Sequence, residues 1–315
     1  MGGTVELRHL RYFVAVAEAG SLTVAAGQTL HTAQPSLSRQ IRDLEYQVGT
    51  PLLLRGPRGI ELTAAGRAFL DHARLALSQV DAACVAARRA AAPAKASFAL
   101  GFLTGQEMDW LPAAMQILRD ELPRIEVTVS SQYSPQLADG LMNGALDLAF
   151  LRREPRRPDL VYRLLAQEPL VVVLASDHPL ASRSSVRVQQ LAGETFINVS
   201  DTAPVLRAII DSYLKRSSVA LAAKHEADNL SMAISLVAST RGVALLPAYA
   251  QNFLPWAVVS RPLAGEVPGI DLVAGYHKAN ASPVLKLFLS RLDELISRAA
   301  KATAESRRNA HPPAH

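Results

Sequence analysis

The sequence predicts an α/β protein in three successive parts: a helical N-terminal unit with a short strand pair, one long connecting helix, and a C-terminal module of two small α/β lobes. Three observations carry that expectation. Residues 1–63 read as helices with short breaks, residues 64–91 contain no proline and no glycine after Gly66, and from Ser97 onward short β-branched or leucine-rich runs alternate with helical patterns. At 315 residues the chain is also long for a single core.

In the first part, Leu10, Phe13, Val14 and Ala17 share one helical face that ends at Gly20. Ser21 is suited to cap a second helix that buries Leu22, Ala25, Ala26 and Leu30. A third segment opens near Thr32, with Pro35 in its first turn. Its apolar positions Leu37, Ile41, Leu44 and Val48 make one stripe, and Gly49 ends it. At about 100° per residue, Arg39 falls opposite that stripe and leads the polar face. Pro51 to Thr63 reads as two short strands around Gly56-Pro57-Arg58-Gly59. The long helix carries Ala68, Leu70, Leu75, Leu77, Val80 and Val85, too many apolar residues for a solvated helix, so it requires a partner. Ala91 to Ala94, with Pro93, reads as a hinge.

In the C-terminal module the strand candidates are Phe98–Leu103, Ile125–Ser130, Leu146–Leu151, Leu170–Ala175, Thr195–Val199, Ala220–His225, Val243–Leu246, Val258–Arg261 and Ile270–Tyr276. Helices are expected at Asp109–Leu122, Pro135–Met142, Ala203–Arg216, Leu230–Thr240 and Pro283–Ala300. The alternation predicts parallel sheets covered by helices. The domain boundaries follow: 1–63, 64–92, and 93–302, the last divided into one lobe of about 95–165 with 268–302 and another of about 166–267. The tail 303–315 is expected to be disordered.

Composition narrows the function. Apolar residues make up 49% and charged residues 19%, which excludes a disordered chain. The single cysteine, Cys84, excludes an intramolecular disulfide. It is expected as a small buried hydrophobe, with a redox switch as the other reading. Apolar runs such as Leu170–Ala175 are far short of the roughly 20 residues a membrane helix needs, and MGGTVELRHLRYF lacks the order of a signal peptide. The expectation is a soluble cytoplasmic protein. The net charge is +5, and residues 1–92 hold ten arginines against seven acids and no lysine. The arginine fork suits phosphate oxygens and the guanine edge, although arginine preference in a GC-rich genome would give the same bias. No metal-ligand spacing, GxSxG elbow or phosphate-binding loop occurs, so no catalytic residue, metal or cofactor is expected.

The helix pair joined at Leu30 to Ala33, followed by the arginine-led face, reads as a helix-turn-helix. Gln34 can pair with an adenine edge and Arg39 with guanine, while Ser36, Ser38 and Arg42 can hold phosphates. A three-helix packing unit with a solvated basic face remains the plainer alternative at this point.

Residues 7–66, LRHLRYFVAVAEAGSLTVAAGQTLHTAQPSLSRQIRDLEYQVGTPLLLRGPRGIELTAAG, resemble the winged helix-turn-helix of LysR-type transcriptional regulators. The elements are LRxFxxVAExGS, AQPSLSRQIRDLE, GxPLLxR and LTxAG. The likeness extends to about residue 300, with EPLVVVLASDHPLA (168–181) and GVALLPAYA (242–250) similar to the effector-binding module of the branch that regulates catabolism of phenylpropionate-type aromatic acids. The resemblance implies that Gln34, Pro35, Ser36, Ser38 and Arg39 contact bases and phosphates of promoter DNA, with Arg55 and Arg58 in the wing. It also implies a two-lobed, periplasmic-binding-protein-like effector module, a homodimer through the linker helix and a homotetramer. Two departures stand out. The stretch Ala26 to His31 is one residue longer than usual between the helices, and Gly27 weakens the second helix by about 1 kcal/mol relative to alanine.

Two α/β lobes joined by crossing strands leave a cleft where strand ends and helix N-termini favour anions. Ser134 before Pro135 reads as a helix cap, and it matches a hydroxyl position that contacts effector in related regulators. The family's usual serine after the first strand is replaced by Gly105, itself a candidate effector contact, so the hydroxyl comes from Thr104 or is missing. Arg152 matches an arginine near carboxylate effectors, while Thr202 and Asn229 open helices of the second lobe. Helix capping and a solvated charge run (RREPRRP) are the competing explanations. Of the aromatics near the cleft, Phe102, Tyr133 and Phe196 suit either ring stacking or core packing. The implied effector class is an aromatic carboxylate, and the chain is expected to be a regulator rather than an enzyme. The alternatives are a bilobed solute-binding protein, which the first 63 residues oppose, and an enzyme with an accessory DNA-binding domain.

Overall fold

The computed structural model describes residues 5–56, 59–91, 97–155 and 157–310 and divides into two compact units, residues 1–91 and 92–315. The first unit begins with α1 (Leu7–Ala19), closed by Gly20 in a left-handed conformation. Next comes α2 (Leu22–Val24), capped by Ser21, whose hydroxyl accepts the Val24 N–H at 3.4 Å. The helix does not stop there. Ala25–Thr29 continues it as a π-helical turn, with Leu30 N–H donating to the Ala25 carbonyl at 2.9 Å. This turn absorbs the extra residue seen in the sequence: the helix swells by one residue, and His31 leaves it at φ 46. Then α3 (Gln34–Val48) starts with proline in its first turn and closes at Gly49.

Strands β1 (Leu53–Gly56) and β2 (Gly59–Leu62) pair antiparallel as a wing. Helix α4 (Ala64–Ala91) follows, with Thr63 Oγ1 accepting the Gly66 N–H at 2.8 Å. Gly66 has to be glycine because a Cβ there would overlap the Leu52 carbonyl. Leu10, Phe13, Val16, Leu37, Ile41, Leu44, Leu52 and Leu70 form the core of this unit, and Phe69 meets Phe13 edge-on at 5.2 Å. Farther along α4, Leu75 and Cys84 are exposed, so the expectation of a buried cysteine fails for the single chain. The start of α4 packs on α1, and Cys84 lies more than two turns beyond the last buried residue of that contact, Ala73.

The second unit contains β3 (Ser97–Leu103), α5 (Glu107–Glu121), β4 (Glu126–Gln132), α6 (Ser134–Met142), β5 (Leu148–Leu151), β6 (Leu160–Ala175), β7 (Phe196–Val199), α7 (Pro204–Arg216), β8 (Ala223–Ala227), α8 (Leu230–Thr240), β9 (Val243–Pro247), β10 (Val258–Pro262), β11 (Gly269–His277), α9 (Pro283–Ser290) and α10 (Leu292–Ala310). The strand order is β4-β3-β5-β11-β6-β9-β7-β8, with β10 on β6 as well. β3 is parallel to both β4 and β5, and β7 is parallel to both β8 and β9. β6, by contrast, is antiparallel to β9, β10 and β11. The sheets are therefore mixed, not purely parallel as the alternation suggested, because strands that cross between lobes must run against their neighbours.

β6 begins ten residues earlier than predicted. Its front half, Leu160 to Pro169, pairs with β11, and its back half pairs with β9 and β10. Two cores result, one around Phe98, Phe102, Phe150 and Phe288 and the other around Val172, Phe196, Ile210 and Val237. Helix α10 continues to Ala310, past Thr303 where disorder was expected. The alanines, glutamate and arginines of that stretch are good helix formers or neutral, and no proline intervenes before Pro312. Residues 311–315 lie outside the described ones. Among the described residues, no helix is long and apolar enough to cross a membrane.

Candidate functional site

On α3, Leu37, Ile41 and Leu44 are turned fully inward, so the opposite side must face out. Gln34, Pro35, Ser36 and Arg42 are exposed, and the Arg39 side chain is 80% exposed, with only a loose approach to Asp43 at 4.0 Å. Arg42 reaches back to the Ser38 carbonyl at 3.4 Å. Ser38 itself is buried, so it stands apart from the exposed set. It follows Leu37 directly and turns with it toward the core. Tyr46, two turns beyond Arg39, extends the exposed side and is 87% exposed; sequence reasoning passed over it. The backbone of Arg55 lies in β1 opposite Ile60, and Arg58 falls outside the described residues.

The wing is fastened to α3 by one carboxylate. Glu45 Oε1 accepts the N–H groups of Leu52 and Leu53 at 2.8 and 2.9 Å, fixing where the hairpin leaves the helix. From β2, Ile60 N–H donates to the Gly20 carbonyl at 2.9 Å, tying the wing to the end of α1 as well.

In the second unit, a cleft of about 690 Å³, counting the open space at its mouth, lies between the two cores. Thr104, Ser134, Arg152, Thr202 and Asn229 all line it. They arrive from the loop after β3, the start of α6, the end of β5, and the approaches to α7 and α8, so helix N-termini converge there as expected. Ser134 is not the cap of α6, since Tyr133 holds that position. Instead Ser134 Oγ accepts the Arg152 N–H at 2.9 Å, which leaves its proton free to donate. Thr202 Oγ1 donates to the Asp228 carbonyl at 2.9 Å, and Asn229 caps α8 by accepting the Met232 N–H at 2.7 Å.

Gly105 is set apart from these. It does not line the cleft, its φ is +94, and its N–H donates to Glu107 at 2.7 Å. A Cβ there would sit 2.8 Å from the Tyr249 ring, so the serine usual in the family has no room here. Tyr249 was missed by sequence reasoning. Its hydroxyl donates to the Thr104 carbonyl at 3.3 Å, and burial pushes its pKa up to about 12, so it stays a neutral donor.

Arg152 is buried and its charge is already matched. One terminal nitrogen pairs with Glu168, another donates to the Ile270 carbonyl at 3.3 Å, and the Tyr249 ring lies 5.9 Å from the guanidinium carbon. Glu168 also accepts from Gln106 at 2.9 and 3.1 Å. A free arginine waiting for a carboxylate is thus replaced by a closed ion pair, because Glu168 on β6 comes within reach of β5's end. Phe102 stacks on Phe150 at 4.5 Å inside a core, and Phe196 is likewise core, while Tyr133 faces the cleft. Burial first, and then Asp228, holds the Tyr133 phenol above its ordinary pKa. The remaining walls are apolar, with Leu103, Val199, Leu206, Leu246 and Pro247 among them.

A helix-turn-helix with a wing, followed by a bilobed module with a cleft between its lobes, defines a ligand-responsive transcriptional regulator. Comparison with known proteins agrees. The family of bacterial regulatory helix-turn-helix proteins of the lysR type matches residues 7–67, and the LysR substrate binding domain matches residues 91–296. The Hca operon transcriptional activator HcaR of Escherichia coli (strain K12) is 38% identical over 297 residues, covering 93% of this chain and 99% of that protein. BenM, a transcriptional regulator of Acinetobacter baylyi, is 32% identical over 256 residues, 79% of this chain and 82% of its own. The crystal structure of full-length BenM aligns at 28% identity with a TM-score of 0.58, covering 95% of this chain and 98% of that one. Full-length CbnR in complex with its target DNA shares the fold at 24% identity and a TM-score of 0.55, over 93% of this chain and all of that one. The chain belongs to the LysR family of transcriptional regulators. That membership sets aside the solute-binding and enzymatic alternatives.

Proposed function

We propose that this regulator reads promoter DNA with Gln34, Pro35, Ser36, Arg39 and Arg42, and answers to an aromatic carboxylate held between its lobes. Arg39 is the base-reading residue and Arg42 a phosphate contact, with Arg55 and Arg58 following the adjacent backbone or minor groove. The observation that carries the reading is the side of α3 led by Arg39, whose side chain is 80% exposed, backed by a stripe at 1% exposure or less. Among the described residues, Arg39 has no partner closer than the 4.0 Å approach of Asp43, so its fork is available to a base edge.

The effector's ring would lie among the apolar walls, with its carboxylate near the N-termini of α6, α7 and α8 and the free Ser134 proton. The exposed length of α4, with Leu75 outward, supports a homodimer through that helix, and effector modules pair such dimers into a homotetramer. Effector binding then shifts an equilibrium between quaternary arrangements and changes the spacing of the reading helices.

The test is a footprint of the purified protein on the intergenic DNA beside its own gene, with and without benzoate and 3-phenylpropionate. We expect a protected region whose extent changes with one compound. Arg39→Ala is expected to weaken operator binding by about 1–3 kcal/mol with thermal stability unchanged. Normal protection by that variant removes the base-reading role, and protection indifferent to every aromatic acid removes the effector class.

A further inference from the structure

We infer that the effector carries a hydrogen-bond-donating hydroxyl on its aromatic body, besides its carboxylate, and that Glu154 is the residue that reads it. This rests on the proposed use of the cleft as the effector site and adds the chemical group selected there.

Several polar groups of the cleft already serve the protein itself. Ser134 receives the Arg152 N–H, Thr202 donates to the Asp228 carbonyl, Asn229 receives the Met232 N–H, and Arg152 is closed on Glu168. Glu154 differs. Its Oε1 is shut off from solvent and has no hydrogen-bond partner. Among the described residues, it is the one such atom that belongs to a side chain lining this cleft. A carboxylate oxygen withdrawn from water without a donor is costly, and orphans of this kind mark places where a ligand or an ordered water completes the bonding.

Among the described residues, the neighbours offer no replacement. Arg157 pairs with Asp139, and the Tyr162 hydroxyl is directed at the Glu154 carbonyl, 3.5 Å away. Burial, the largest influence, holds the Glu154 carboxyl above its ordinary pKa; Asp139 adds to this, and Arg157 opposes it. Asp228 is a second carboxylate on the cleft wall, and the cleft's cation among the described residues, Arg152, is matched by Glu168. Such a lining disfavours a second anionic group on the ligand and favours a neutral donor. A site with an acceptor awaiting a donor also rejects the analogue that lacks one, because the acceptor is then left unpaired.

The experiment is calorimetric titration of the full-length protein with 3-phenylpropionate and its 2-, 3- and 4-hydroxyphenyl counterparts, and with benzoate and the three hydroxybenzoates. One hydroxylated isomer is expected to bind at least about ten-fold more tightly than its parent acid. In Glu154→Leu that preference disappears while the parent acid binds as well or better. Glu154→Gln keeps a carbonyl acceptor and retains part of the preference, which distinguishes recognition from misfolding. Equal binding of parent and hydroxylated acids by the wild type overturns the inference and leaves the aromatic-acid reading intact, as does a preference that survives in Glu154→Leu. Binding of none of these compounds overturns both.

Discussion

The reading helix and the cleft use polarity in opposite ways. On α3 the side chains proposed to read DNA are long, exposed and hardly engaged, as Arg39 shows with its distant approach to Asp43. In the cleft, Arg152 is buried and closed on Glu168, and Ser134, Thr202 and Asn229 each serve the backbone. The contrast follows from what each region meets. DNA presents a dense anionic surface that rewards free donors, whereas a small ligand enters a pocket whose shape must survive its absence, which requires internal bonds.

Removing one partner from each region measures that difference, and the largest effect is expected at the buried pair. Glu168→Ala leaves Arg152 buried and unmatched, a loss of about 3–5 kcal/mol, to be read by urea unfolding. The Arg39 variant, by comparison, should change only binding. A stability loss under 1 kcal/mol for Glu168→Ala would mean that solvent reaches the pair and that the cleft is less preorganised than its geometry indicates.

Next comes Glu45, where one carboxylate oxygen serves two backbone N–H groups at the base of the wing. Glu45→Ala is expected to cost about 1–3 kcal/mol, whereas Glu45→Gln keeps an acceptor and most of the stability. Equal losses for the two variants would point to charge rather than hydrogen bonding as the fastening. The smallest effect is a gain. Gly27 has open space where a Cβ would stand, so Gly27→Ala should stabilise the first unit by about 0.5–1 kcal/mol, seen as a raised melting temperature with unchanged operator affinity. A loss on this substitution would show that the π-helical turn needs the freedom of glycine.

The reading unit was more legible in the sequence than the cleft. The spacing of Leu37, Ile41 and Leu44 placed the buried stripe, and Arg39 followed from it by helical geometry alone. Ser38 escaped that logic because a residue beside the stripe can turn either way. In the module, Thr104, Ser134, Thr202 and Asn229 could be picked out because they stand where strands end and helices begin, positions with local signatures. Tyr249, Glu154 and Glu168 carry no such mark. Tyr249 meets Thr104 across 145 residues of chain, and pattern within a segment cannot report which distant side chain arrives. The front half of β6 was hidden for a related reason: Arg163, Gln167 and Glu168 break its apolar run, and Pro169 looks like a stop. Paired with β11 along one side, those residues still form an extended ladder.

The π-helical turn at Ala25–Thr29 bears on how such a reader evolves. An added residue in an ordinary α-helix would rotate everything after it by about 100°, and in a strand it would exchange inside for outside. Here the newcomer is confined to one wide turn that still buries Ala25 and Ala26, with Leu22 buried ahead of it and Leu37 behind. The extra residue is thereby accommodated without turning the buried faces on either side of it away from the core. Insertions of this kind become tolerable raw material for drift, even within a motif whose purpose depends on angle.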